Sequence, residues 1–250
     1  AAVMLLVISP MATLSYSQEN YLQMTDDNDC TTAFTDSLAG RKAIDSSAYD
    51  IWSWSLGTDI VTSYIWRGAR QGRGPHLQPY AGFSAGPVTG GVWGTFDFNG
   101  YREVDLYLAM ELPGGFIIGL QDYWMADLPF SDFTAESGSH VLEASLGYDS
   151  EHISLNANYI INEAGGAGSV GDDLYVESRF SFEYFSVFMG AGNGWHTEDG
   201  RFMVCNVGIG AEREFQVSDS FSIPVTAQIC FNPDSGRAFF AAGLSISTGR

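Results

Sequence analysis

Residues 102–112 read Arg-Glu-Val-Asp-Leu-Tyr-Leu-Ala-Met-Glu-Leu. Val104, Leu106, Leu108, Met110 and Leu112 share one parity, while Glu103, Asp105, Tyr107 and Glu111 share the other. Side chains alternate across a β-strand, so this segment has one aliphatic face and one acidic face. A soluble sandwich also alternates, but it buries the apolar face and turns its charges outward. Across the chain the charged face carries Asp59, Glu103, Asp105, Glu111, Glu143, Glu177, Arg179, Glu183 and Glu212. That set is almost wholly acidic. It suits the inside of a barrel whose aliphatic face meets lipid.

The same period of two recurs over residues 51–67, 76–86, 91–98, 116–127, 139–149, 153–162, 173–183, 185–192, 203–214, 220–231 and 238–247. With 102–112 this makes about twelve segments, several near the ~10 residues that a tilted membrane strand needs. The connections alternate in length. Residues 68–75, 128–138, 163–172 and 193–202 form long loops. Residues 87–90, 113–115, 150–152 and 184 form tight turns, and Asn99-Gly100 is a tight hairpin on the long-loop side. Long loops at one end and short turns at the other predict a closed antiparallel transmembrane β-barrel of up-and-down topology. Closure leaves no unpaired backbone edge facing lipid. Even positions from Trp52 to Trp66 continue one apolar face. Trp52 and Trp54 are therefore expected at one membrane interface, and Tyr64 and Trp66 at the other, since Trp and Tyr favour that depth.

Composition fits this reading. Hydrophobic residues make up 45% and charged residues 16%, so apolar side chains must cover much of the surface. Thirty Asp and Glu against 11 Lys and Arg give a net charge of −19, which argues against nucleic acid as a partner. Residues 1–17 read as an export signal that begins inside its apolar region and ends at Ser15-Tyr16-Ser17. Residues 18–50 are polar and acidic and read as a flexible periplasmic arm. The barrel is expected over residues 51–250, in the cell outer membrane, with lipid and lipopolysaccharide as its surroundings.

At the first strand and hairpin the chain carries Ser63-Tyr64-x-Trp66-Arg67-Gly68, then Pro75-x-x-Gln78, then Gly91-x-Trp93-Gly94. This pattern resembles the TorF-type porin family of Gram-negative outer membranes and covers about a fifth of the chain. The resemblance implies an outer-membrane barrel with a channel role and brings no catalytic residues. One departure stands out. Outer-membrane barrels usually end in an aromatic residue, whereas the last aromatic here is Phe240.

Carboxylates lining a lumen repel one another and attract cations, and acidic rings select cations in channels. The sequence thus predicts a small cation-preferring pore for small solutes. The alternatives are a non-conducting barrel that is structural or binds a ligand and, third in order, a lipid-modifying barrel enzyme. Arg67, Arg70 and Arg73 fall where the first strand leaves the membrane. They are outer-rim candidates for anionic sugar or lipopolysaccharide phosphate, or, for Arg67, a partner to a lumen carboxylate. No pattern marks a catalytic centre. Ser139 and His140 fall on opposite faces of a strand, and no Gly-x-Ser-x-Gly elbow is present. No spacing marks a metal or a cofactor. Residues 165–169 are glycine-rich but lack the Gly-Lys-Ser/Thr of a phosphate cradle. Cys30, Cys205 and Cys230 form no disulfide framework, and parity puts Cys205 and Cys230 on opposite sides of the wall.

Overall fold

The computed structural model describes residues 52–218 and 221–249. The expected signal (1–17), the acidic arm (18–50) and Cys30 lie outside the described residues. The strands are β1 (Trp52–Val61), β2 (Tyr64–Trp66), β3 (Ala69–Gln71), β4 (His76–Ala85), β5 (Val88–Asp97), β6 (Arg102–Leu112), β7 (Phe116–Met125) and β8 (His140–Asp149). They continue as β9 (Ile153–Ile160), β10 (Glu163–Ala164), β11 (Ser169–Val170), β12 (Leu174–Ser181), β13 (Ser186–Gly192), β14 (Met203–Ser218), β15 (Phe221–Asn232) and β16 (Arg237–Gly249).

Among the described residues, twelve of these strands close one antiparallel barrel. Each pairs with its sequence neighbour, and β1 seals against β16 from Ser55 opposite Gly249 to Val61 opposite Gly243. The β2–β3 and β10–β11 hairpins stand apart as two-stranded ribbons. The long connections all lie at one end of the barrel, which also carries the short β5–β6 and β15–β16 turns, and the other end has only tight turns. The turn between β4 and β5 is tighter than expected. Ala85 pairs with Val88, leaving Gly86 and Pro87 as the loop.

The parity of β6 is as the sequence demands. Leu106, Leu108, Met110 and Leu112 are exposed on the outside, while Glu103 and Asp105 are buried within. Ile118, Leu120, Leu146, Leu155, Ile209, Ile229 and Phe240 extend the apolar outer face around the wall. Trp52, Trp54, Phe83, Phe116, Phe180 and Phe182 gather toward the turn end; Phe98, Phe130, Phe133, Tyr159, Phe202 and Phe231 gather toward the loop end. Two aromatic girdles around an aliphatic belt are the surface that a bilayer accepts. The chain is therefore a transmembrane-type β-barrel.

The buried cluster lies inside the barrel, toward the loop end. Tyr64, Trp66, Tyr80, Trp93, Tyr123, Val141, Ile160 and Ala164 pack together there. Glycines opposite lumen tyrosines make this possible. A Cβ at Gly57 would meet the Tyr80 hydroxyl at 2.5 Å, so the ring lies across bare backbone.

Two expectations are corrected here. Tyr64 and Trp66 are not interface aromatics. β1 ends at Val61, where Thr62 bonds to Ala242 of β16 (N to O, 2.8 Å), and the chain then turns into the lumen. Both rings are buried there. Cys205 does not follow the parity of Val207. A bulge opposite Gly190 and Ala191 adds one residue to β14, and Cys205 is buried, as is Cys230; both are free thiols.

The outer belt predicts an asymmetric response to charge. Leu108→Arg, mid-height on the outside, should destabilise the barrel in lipid vesicles by roughly 2–4 kcal/mol in urea titrations. In a water-facing wall the same change would cost roughly 0.5 kcal/mol or less.

Candidate functional site

The hairpin β2–β3 occupies the loop-side half of the lumen. Trp66 pairs with Ala69, so Arg67 and Gly68 are the two central residues of a tight turn, with φ of 48° and 81°. Positive φ at both central positions is the type I′ signature. Gly68 is required on two counts. Its φ favours glycine, and a Cβ would lie 2.0 Å from the Cys205 carbonyl oxygen. Asn232 Nδ2 on β15 donates to the Gly68 carbonyl at 3.2 Å and ties the tip to the wall.

Arg67, forced into the left-handed region, is held from several sides. Its Nη1 and Nη2 each donate to the Glu143 carboxylate at 2.7 Å, a bidentate ion pair buried at both partners. Tyr123 donates its hydroxyl to the same carboxylate at 3.0 Å. The guanidinium carbon lies 4.7 Å from the Trp66 ring centroid and 4.5 Å from that of Tyr175. A single-turn 3-10 helix (Gly194–His196) brings His196 against it, with Arg67 Nη1 donating to His196 Nε2 at 3.4 Å. A guanidinium can only donate, so the imidazole is neutral with its proton on Nδ1. Burial, reinforced by the Arg67 charge, pulls the His196 pKa down to about 2.

The remaining candidates separate by height. Asp59, Glu103, Asp105 and Glu143 are buried in the lumen wall. Glu103 accepts hydrogen bonds from Tyr64 (3.0 Å) and Tyr101. Asp105 accepts one from Gln121 at 3.0 Å. Glu177 pairs with Arg179 at 3.2 Å, and Tyr175 donates to Glu177 at 2.6 Å. Glu111 and Glu212 are half-buried nearer the turn end. Glu183 departs from its expected place. β12 ends at Ser181, so Glu183 sits exposed in the following turn, where its backbone carbonyl faces Arg213. Arg67 lies in the lumen and not on the rim, and it takes the other role the sequence allowed it, partner to a lumen carboxylate. Arg70 and Arg73 are exposed at the loop end. Arg70 Nη2 donates to the Arg73 carbonyl at 2.6 Å, and the Arg73 amide donates to Asp97 at 2.8 Å.

One group escaped sequence reading. Asp122 and His140 share the outer face of β7 and β8, yet His140 is fully buried. The connection over residues 126–139 covers it. His140 Nδ1 meets Asp122 at 2.9 Å, and Nε2 meets the Phe130 carbonyl at 2.7 Å. The Phe133 ring stacks on the imidazole at 4.0 Å. Ser139 Oγ donates to the Pro129 carbonyl at 2.7 Å. Both nitrogens and the neighbouring hydroxyl are thus engaged in fixing a loop. The signal in the sequence was an acid and a histidine on the lipid parity, which hydrocarbon would not tolerate uncovered.

Fold and site together define a transmembrane β-barrel with its loop-side lumen filled by an inward hairpin. No protein-family model and no curated protein matches the chain. Among solved structures, the barrel is similar to an active-site mutant of outer membrane phospholipase A from Escherichia coli. That match has TM-score 0.37 and 8% identity over 82% of this chain and 93% of that one. It is also similar to mutants of Rh. blastica porin, one at TM-score 0.31 and 10% identity over 79% of this chain and 98% of that one.

Two outcomes follow. Arg67→Ala or Glu143→Ala alone should each cost roughly 3–5 kcal/mol by leaving a buried charge unpaired. The double variant should cost clearly less than their sum, and additivity in a double-mutant cycle would refute the pairing. His196 stays neutral when folded but takes a proton near pH 6.5 when unfolded. Its contribution is therefore flat above that pH and weakens the fold below it, by up to about 2 kcal/mol at pH 5. The difference in urea midpoint between wild type and His196→Gln should change between pH 8 and pH 5. A difference independent of pH would contradict the neutral assignment.

Proposed function

We propose that the protein resides in the outer membrane as a porin-like barrel, occluded at rest, whose acid-rich lumen admits small cations once the Arg67 hairpin is released. The buried Arg67–Glu143 pair carries this reading, because it holds the tip of the hairpin across the lumen. Charge supports the preference for cations. Asp59, Glu103, Asp105, Glu111, Glu143, Glu177 and Glu212 outweigh Arg67 and Arg179 along the barrel strands and hairpin. Among the described residues, one buried carboxylate oxygen each of Asp105, Glu111 and Glu212 has no hydrogen-bond partner. Buried carboxylate oxygens need water or a cation, so these positions favour a hydrated, cation-attracting interior. Bilayer lipid and lipopolysaccharide surround the belt.

We assign no reaction. His140 offers no free nitrogen to a substrate, and Ser139 points its hydroxyl into the covering loop.

Planar bilayers test the proposal. Wild-type protein should be closed for most of the record. Arg67→Ala, and a variant with residues 64–71 replaced by a short Gly-Ser link, should conduct steadily and pass K⁺ in preference to Cl⁻. A steadily open wild type would overturn the proposal. So would anion preference in the variants, or variants that fold and insert yet stay as silent as wild type.

A further inference from the structure

A cup of about 240 Å³ opens at the loop end above the hairpin. Its rim is half-buried, with Gln71, Tyr101, Met125 and Trp195; its floor is buried, with Glu103 and Arg67. The rings of Trp66, Tyr123 and Trp195 line it and meet pairwise at 70–78°, with centroids 5.4–6.5 Å apart. These are edge-to-face contacts, and the Trp66 face is taken by the Arg67 guanidinium at 4.7 Å, so the rings give the cup an aromatic lining.

The charges of the cup do not cancel. Arg67 is bound bidentately by Glu143 and flanked by the Trp66 and Tyr175 rings. Glu103 accepts from the hydroxyls of Tyr64 and Tyr101, both neutral donors. Among the described residues no Lys, Arg or His forms an ion pair with Glu103. A buried carboxylate beside aromatic and thioether walls leaves one charge to be matched by something from outside. A bare metal ion fits poorly, because the walls offer few oxygen ligands, and no cluster of three His, Cys, Asp or Glu occurs among the described residues. An anion fits poorly because Arg67 is already committed. Small size, one acid and aromatic faces are the recognition chemistry of an organic ammonium ion.

We propose that this cup binds a small organic cation, an alkyl- or arylammonium, with its charged head toward Glu103 and its apolar part against Trp66, Trp195 and Met125. The site is accessible with the hairpin in place, so the proposal stands apart from the conductance reading.

Calorimetry on the purified barrel in detergent tests it. The probes are choline, its neutral carbon analogue 3,3-dimethyl-1-butanol, benzyltrimethylammonium and benzoate. Choline and benzyltrimethylammonium should bind saturably, at least tenfold tighter than the alcohol, with no binding of benzoate. Glu103→Gln should remove the advantage of choline over the alcohol. Trp195→Ala, on a loop outside the barrel wall, should weaken both cations at least tenfold while circular dichroism stays unchanged. Absence of saturable binding by both cations would overturn the proposal. Equal binding of choline and the alcohol, or preference for benzoate, would do the same. These outcomes are read without voltage on the closed barrel, so they leave the conductance of the Arg67 variants as a separate question.

Discussion

The constraint that shapes this molecule is that a backbone amide in hydrocarbon must find its hydrogen bond within the protein. A sheet of twelve strands meets it only by closing, and the pairing of β1 with β16 performs that closure. Closure then divides every strand between two environments. The outward parity must be apolar because lipid surrounds it, so Leu106, Leu108 and Met110 can stand exposed. The inward parity gathers whatever hydrocarbon would reject. Seven carboxylates, Asp59, Glu103, Asp105, Glu111, Glu143, Glu177 and Glu212, are therefore crowded on the lumen side of the strands.

That concentration creates the second problem. Carboxylates crowded in a narrow lumen repel one another and require hydration or partners. The hairpin Tyr64–Gln71 addresses part of it by carrying a guanidinium to Glu143 and packing Trp66 beside the wall residues Tyr123 and Tyr175. The cost is local strain at Arg67, whose φ of 48° is uncommon for a residue with a Cβ. Such strain persists only where the surroundings over-determine it. Here the bidentate carboxylate, the two rings and the Asn232 tether do so.

The wall was legible in the sequence because a period of two is a local signal that lipid on one side makes strict. The contents of the lumen were less so. Apolar parity runs unbroken from Trp52 to Trp66, so Tyr64 and Trp66 read as the far end of the first strand. The contrary clue was Arg67-Gly68, a dipeptide outside the usual Asn-Gly and Asp-Gly turn pairs. Glu143 stood out as an inward acid, but its partner lies 76 residues away, and no local pattern encodes that distance. Glu183 kept the inward parity but fell beyond the end of its strand. Cys205 was misplaced by a single-residue bulge, which shifts every parity count past it. The covered Asp122–His140 pair was visible only as an anomaly on the lipid face.

The central claim is that lipid touches the parity of Leu108 while the parity of Tyr107 faces the closed interior. Spin labels at Leu108→Cys and Tyr107→Cys, in a background lacking the three native cysteines, test it directly in liposomes. At position 108 the label should collide freely with oxygen dissolved in the bilayer and be shielded from a water-soluble nickel chelate. At position 107 collisions with oxygen should be sparse. A label at 108 that the nickel chelate reaches as readily as oxygen does would contradict the account.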